Sequence, residues 1–266
     1  MRRIVIKVGT AVVTEKNEIA KERMMNLVYL IAKLRSKYEV VLVSSGAVGA
    51  GYSALKLDKT KQIGKKAIAA AGQPILMSSY KRMFDVFDID TAQILLTEDD
   101  FDSRKRTKMF QEIINAHLAN DILPIVNEND ISSTPEQLFG DNDQLSAHVA
   151  HAVNADMLII LSDIYGYFDK DPSKYQDAQL FKVLDELPEG ALEEKATPND
   201  PFATGGIVTK LKAADFIMKK GRKMFLANGF DLSATESYLM DGNHTLGTLF
   251  IPKESAKKEN NNKGGA

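Results

Sequence analysis

Residues 138–151, LFGDNDQLSAHVAH, set an amide between two carboxylates, after a glycine and ahead of an apolar helical run. Asp-Asn-Asp lacks the spacing and terminal Glu of a calcium loop, so it makes a poor metal cage. One Asp or Asn suffices to cap a helix, and three in a row after Gly140 exceed that need. A share in a reaction centre is therefore open. Two lysines occupy suggestive positions. In KVGT (7–10), a lysine stands near the end of an apolar run, with a glycine two residues on. Inside a buried strand its charge must meet a partner, or its stem must snorkel to an edge. The alternative to snorkelling is an ammonium aimed at an anion, with Gly9 letting that anion approach the backbone. In TGGIVTKLKAAD (204–215), a glycine pair opens a helix and Lys210 lies one to two turns in. The free N–H groups of that helix start suit an anion, over which Lys210 can lean back. The plain alternative is a Gly-rich helix start with a solvated lysine.

Two further stretches carry polar side chains at strand ends. SSGAVGAG (44–51) has two hydroxyls, then only small residues, which suits a carboxylate or phosphate at a helix start or simply a tight strand-to-helix turn. SDIYGYFDKDP (162–172) combines Ser-Asp, an aromatic-Gly-aromatic turn and an acidic pair before Pro172. It could hold a base and ribose, or be a hairpin with a proline-terminated turn. The common phosphate loops fail on spacing. The Gly64-Lys65 pair is followed by Lys66 rather than Ser or Thr, and GAVGAG (46–51) does not match G-x-G-x-x-G. Phosphate binding by other backbone arrangements stays open. His148 and His151 lie one helical turn apart, a weak metal signal without a third ligand in register. His117 and His244 belong to no motif, and no Ser-His-Asp grouping has supporting spacing.

Composition narrows the class. The 266 residues suffice for a substantial core. Thirty-four basic residues against 36 acidic ones argue against a bulk affinity for nucleic acid or anionic membranes. There are no cysteines, hence no disulfides, thiolate metal site or cysteine nucleophile. The opening MRRIVIKVGTAVV resembles a leader only briefly, because Lys7 breaks the apolar run and no cleavage pattern follows. No run approaches the roughly 18 apolar residues of a membrane span, and a cytoplasmic protein is the default expectation.

The elements that must position these residues follow from periodicity. Nearly continuous apolar runs at 4–8, 40–44, 91–96, 121–127, 156–162 and 222–227 predict strands buried on both faces. Helical patterns lie between them, at 21–38, 65–87, 106–119 and 206–221. The alternation predicts an α/β domain with a mostly parallel central sheet. Ligands of such sheets sit beyond the carboxyl ends of the strands, where nearly all the Gly, Ser, Asn and Asp of interest fall. The polar, low-complexity tail (252–266) predicts disorder.

Taken in order, IVIKVGTAVVT, VLVSSGAVGAG, AAAGQ, PIVNENDISS, FGDNDQLSAHVA, LSDIYGYFDKDP, ATGGIVTKLKAAD and GTLF resemble the amino acid kinase family. The resemblance spans about residues 4–250 and is strongest to members that phosphorylate glutamate, with NEND and FGDNDQLSA the most specific pair. It implies a three-layer αβα sandwich over residues 1–252, the segment 253–266 being a tail. It also implies ATP-dependent phosphorylation of the L-glutamate γ-carboxylate, the first step of proline biosynthesis, with Mg²⁺. By position, Lys7, Ser162, Asp163 and the segment Thr204, Gly205, Gly206, Ile207, Val208, Thr209 and Lys210 would contact ATP. Ser45, Asp130 and Asn142 would hold glutamate, and Asp143 would orient Lys7 and Lys210, these three forming the catalytic set. Asp141 is then left as the helix cap. The resemblance further implies feedback inhibition by proline, a homo-oligomer (dimer or tetramer) and functional coupling to a glutamyl phosphate reductase. Many relatives carry a C-terminal RNA-modification-enzyme-like domain, which the sequence after GTLF does not supply.

The chemistry agrees with the residues. Phosphoryl transfer between anionic groups is limited by charge, and positive partners serve it better than a covalent nucleophile. A unit charge at ~4 Å in a site of effective dielectric ~20 is worth ~4 kcal/mol, or about three decades of rate. A carboxylate is already ionised at neutral pH, so no general base is needed. The competing readings are a kinase of the same fold acting on N-acetylglutamate, aspartate, carbamate or UMP, and a silent glutamate or proline sensor. SSGA with NEND and FGDND weighs against the first; Lys7, Asp143 and Lys210 weigh against the second.

Overall fold

The structure, a computed structural model, describes residues 1–58, 60–132, 142–193 and 206–253. Strand β1 (Arg2–Val8) leads through α1 (Thr10–Val13) to a hairpin of β2 (Thr14–Glu15) and β3 (Glu18–Ile19). Helix α2 (Lys21–Leu34) returns the chain to β4 (Tyr38–Ser44). Helices α3 (Ala47–Gly51) and α4 (Gln62–Phe84) then lead to β5 (Thr91–Leu96). Next come α5 (Asp99–Asp102), α6 (Arg104–Ala119) and β6 (Leu123–Glu128). Helix α7 (Asn142–Ala152) precedes β7 (Met157–Ser162), and β8 (Val183–Leu184) precedes α8 (Gly206–Lys219). Strand β9 (Lys223–Asn228), α9 (Ser233–Glu236) and β10 (Thr248–Phe250) complete the described order.

Eight strands form one sheet in the order β5-β6-β4-β1-β7-β9-β10-β8. Neighbours run parallel except β10, which is antiparallel to β9. Strand β1 is central, with Lys7 opposite Val43 of β4 and Ile160 of β7. Alternation along β1 sends Ile4, Ile6 and Val8 into one apolar layer, with Leu27 and Ile31 of α2 and Leu76, Tyr80 and Phe84 of α4. Val5 enters the other layer, with Phe110 and Ile114 of α6, Leu145 and Val149 of α7, and Leu211 and Ala214 of α8. Each fully buried Leu, Ile or Phe contributes about 1.5–3 kcal/mol. Apolar burial on both faces explains the unbroken hydrophobic runs and yields the expected three-layer sandwich with a mostly parallel sheet.

The elements depart from expectation at their ends. The helical pattern over 21–38 stops at Leu34, because Ser36 and Lys37 turn back onto the Lys33 and Leu34 carbonyls and buried Tyr38 opens β4. Helix α4 starts at Gln62 and runs through Pro74. Its inner face repeats every fourth residue (Ile68, Gly72, Leu76, Tyr80, Phe84), and that continuous stripe outweighs the single backbone donor that proline lacks. Strands β8 and β10 are two and three residues long, too short for a periodic signal. In the 162–172 stretch, Phe168 bridges antiparallel to Leu180. Of the polar tail, residues 254–266 lie outside the described residues.

Helices α3 and α4 cross with backbone against backbone. A Cβ on Gly72 would lie 1.8 Å from the Ala47 carbonyl oxygen and 2.4 Å from Gly51 N. This contact sets the SSGA turn against α4. Gly72→Ala is expected to destabilise the fold by about 1–3 kcal/mol, read as a lower urea midpoint; an unchanged midpoint contradicts so close a crossing.

Candidate active site

The carboxyl ends of β1, β4, β6 and β7 gather the polar residues. At the end of β4, Gly46 has φ 107°, and a Cβ there would meet Val13 Cγ2 at 2.7 Å. Only glycine takes that backbone without strain, so the turn presents Ser45 just before the start of α3. A cavity of about 170 Å³ opens here, lined by Thr10, Ser45, Lys65, Asn127, Glu128, Asp130 and Asn142, among others. The expected substrate residues Ser45, Asp130 and Asn142 thus meet in one cavity. Burial pushes the Asp130 carboxyl above its ordinary range, while the Lys65 and Lys66 ammonium groups pull the other way.

A second cavity, of about 520 Å³, is lined by Ser162, Asp163, Tyr165, Phe168, Asp171, Gly206, Ile207 and Lys210, among others. It unites the end of β7, the aromatic turn after it and the start of α8. Ser162 Oγ donates to Asp163 Oδ1 at 2.9 Å. Ile207 and Val208 are both buried in the apolar layer, and of the two Ile207 also lines the cavity. Thr204 and Gly205 lie outside the described residues, as does Asp141, the expected cap of α7.

Between the cavities stands Asp143, in the first turn of α7. Its side chain is fully buried, and its two oxygens pair with different lysines. Lys7 pairs with Oδ1; Lys210 Nζ lies 3.1 Å from Oδ2. Thr209 Oγ1 also donates to Oδ2 at 3.1 Å. Lys210 leans back along α8 to donate to the Gly206 carbonyl at 2.9 Å. Lys7 is 5% exposed and Lys210 8% exposed, so neither is a solvated surface lysine. The snorkelling alternative for Lys7 fails because β1 is central rather than at a sheet edge. Two ammonium groups and one carboxylate leave a formal excess of one positive charge. Desolvating each ion costs several kcal/mol, so the trio is electrostatically poised for an incoming anion. Such a site can hold and polarise a phosphoryl group passing from the larger cavity to the smaller.

Asn142, the neighbour of Asp143, points the other way. Its Nδ2 lies 2.9 Å from the Ser44 carbonyl, 2.9 Å from Asn127 Oδ1 and 3.1 Å from Ser45 Oγ. One turn of helix therefore serves both sites, Asn142 at the small cavity and Asp143 at the lysines. Sequence reasoning did not assign roles to Thr10, Lys65, Asn127 or Glu128. The NEND motif was a signal for the last two, since an amide and a carboxylate at the end of a buried strand need partners. His148 is accounted for by packing: its ring stacks on Phe216 at 4.4 Å and meets Phe101 edge-on at 5.4 Å. Burial lowers its pKa, with His151 acting in the same direction.

Known proteins similar to this chain share one family and one fold. A glutamate 5-kinase of Wolinella succinogenes is 52% identical over 256 residues, covering 94% of this chain and 98% of that protein. A glutamate 5-kinase of Leishmania donovani is 45% identical over 256 residues, covering 96% of this chain and 97% of its own length. Among solved structures, an isopentenyl phosphate kinase superposes with TM-score 0.67 at 16% identity, over 94% of this chain and 100% of that one. Carbamate kinase from Giardia lamblia gives 0.65 at 19%, covering 95% of this chain and 99% of that one. These two share the fold. The family model described as amino acid kinase family matches residues 2–228, and the chain belongs to that family.

Proposed function

We propose that this chain transfers the γ-phosphoryl group of ATP to the γ-carboxylate of L-glutamate, the activity for which its relatives are named. The observation that carries the reading is the placement of Asp143 and its two lysines between a small polar cavity and a larger, partly aromatic one. Glutamate occupies the small cavity, held by Ser45, Asp130 and Asn142. ATP occupies the larger one, against Ser162, Asp163 and the start of α8 (Thr204–Lys210), with Lys7 also at its phosphates.

A γ-carboxylate oxygen attacks the γ-phosphorus, the bond to the β,γ-bridging oxygen breaks, and ADP departs. The attacking group is already ionised, so no proton moves. Lys7 and Lys210 face the charge that spreads over the transferred oxygens, and Asp143 fixes both so that little reorganisation accompanies the step. Mg²⁺ usually takes one or two protein carboxylates and completes its shell from phosphates and water. Asp163, in the wall of the larger cavity, fits that role, since both Asp143 oxygens already face cations. The ion, when bound, neutralises phosphate charge.

Residues 1–252 form one kinase domain in this reading, and 253–266 a polar tail. It places the enzyme in the cytoplasm, at the first step of proline biosynthesis, as a homo-oligomer coupled to a glutamyl phosphate reductase. Proline, which shares the carboxylate and amine end of glutamate, acts as feedback inhibitor.

With ATP, Mg²⁺ and hydroxylamine, the purified protein is expected to form hydroxamate from glutamate at least tenfold faster than from aspartate or N-acetylglutamate. Equal rates with all three would remove the substrate assignment. Asn142→Ala is expected to raise KM for glutamate by about tenfold or more, the loss of a hydrogen bond to a charged group; an effect confined to KM for ATP contradicts its placement.

A further inference from the structure

Gln73, on α4, is absent from the residues lining either cavity, yet it is linked to the smaller one by side-chain amides. Its Oε1 accepts from Asn127 Nδ2 at 2.8 Å, and its Nε2 donates to Gln93 Oε1 at 3.0 Å. Asn127 Oδ1 accepts from two donors, the Glu128 backbone N–H at 2.9 Å and Asn142 Nδ2 at 2.9 Å. A backbone N–H can only donate, so it fixes which way the Asn127 amide faces: oxygen toward Glu128 and Asn142, nitrogen toward Gln73. The other end is fixed in the same manner. The Ser44 carbonyl can only accept, so Asn142 must turn its nitrogen toward it.

This geometry has a consequence for recognition. Asn142 carries two amide hydrogens, and three acceptors already share them: the Ser44 carbonyl, Asn127 Oδ1 and, at 3.1 Å, Ser45 Oγ. What Asn142 can offer a ligand is its carbonyl oxygen. That oxygen joins Glu128 and Asp130, two further oxygen acceptors around the same cavity. Converging acceptors match an ammonium group, not a carboxylate.

We infer that Gln73 is a positioning residue for the amino-acid site: through Asn127 it holds Asn142 with its carbonyl oxygen toward the α-ammonium of the acceptor substrate. The inference rests on reading the small cavity as the amino-acid site. Asn127 is 3% exposed, so its nitrogen has little access to water in place of Gln73. Without that acceptor Asn127 Nδ2 is left buried and unpaired, a cost that works against the orientation the Glu128 N–H favours and loosens the oxygen that Asn142 needs.

The test is steady-state kinetics on Gln73→Met, which keeps the volume and removes the acceptor, beside Gln73→Glu, which keeps an acceptor oxygen. Wild-type activity with glutamate is measured first; its absence would remove the underlying reading and not this one. Given that activity, Gln73→Met is expected to raise KM for glutamate about tenfold, with kcat and KM for ATP within about threefold of wild type. Gln73→Glu is expected to bring KM for glutamate back to within about threefold. Should Gln73→Met not yield folded protein, Gln73→Ala supplies the same comparison. An unchanged KM for glutamate, an equal rise in KM for ATP, or a Gln73→Glu as impaired as the variant lacking the acceptor overturns the inference.

Discussion

The site depends on one buried carboxylate shared by two lysines. Asp143 has no exposed surface, and both cations beside it are nearly buried. A buried ammonium in either position needs a partner for its charge. Asp143 stands between them and pairs one oxygen with each, so both are aimed, and the trio carries a formal positive excess. An incoming phosphate relieves that excess. Under the proposed function, the excess is compensated as negative charge gathers in the transition state.

The sheet supplies the geometry that such an arrangement needs. Lys7 is the sixth residue of a seven-residue family of main-chain contacts running from Arg2 to Val8 against β4, and its backbone is further held by β7. Alternation puts it on the face covered by α7 and α8, which bring Asp143 and Lys210. Parallel strands end together, so the hydroxyls of Ser45 and Ser162 reach the same edge of the sheet from β4 and β7. The glycine contact between α3 and α4 then fixes the Ser45 side of that edge, and α4 carries Gln73 to Asn127. Rigid packing around the reacting groups, more than any one group, is what lets small differences in placement be felt as differences in rate.

Much of this is legible in the sequence because it is periodic or local. The strands at 91–96 and the cores of the other five parallel strands show as apolar runs, and the Gly-rich turns mark where the ligands go. The α/β class with a mostly parallel sheet follows from alternation, and the three-layer sandwich from the family resemblance. Strand order does not, and so the status of Lys7 stays open until β1 is found at the centre of the sheet. The amide chain is invisible for a related reason. Gln93, Gln73, Asn127 and Asn142 are far apart in sequence, and polar contacts across elements leave no period to read. The end of α2 is misplaced because Tyr38 fits either pattern, a helix face or the first inward residue of a strand. Resemblance to the amino acid kinase family supplies the pairing of Asp143 with both lysines that spacing alone leaves undecided.

In the proposed function Lys210, held by Asp143, acts on charge that develops during transfer rather than on substrate binding. That role is tested most directly by measuring kcat for Lys210→Ala together with glutamate affinity in the same preparation. A fall in kcat of roughly two to three decades is expected with glutamate affinity nearly unchanged, as for a group acting mainly in the transition state. A kcat close to wild type, or a loss that lies wholly in glutamate binding, would contradict it.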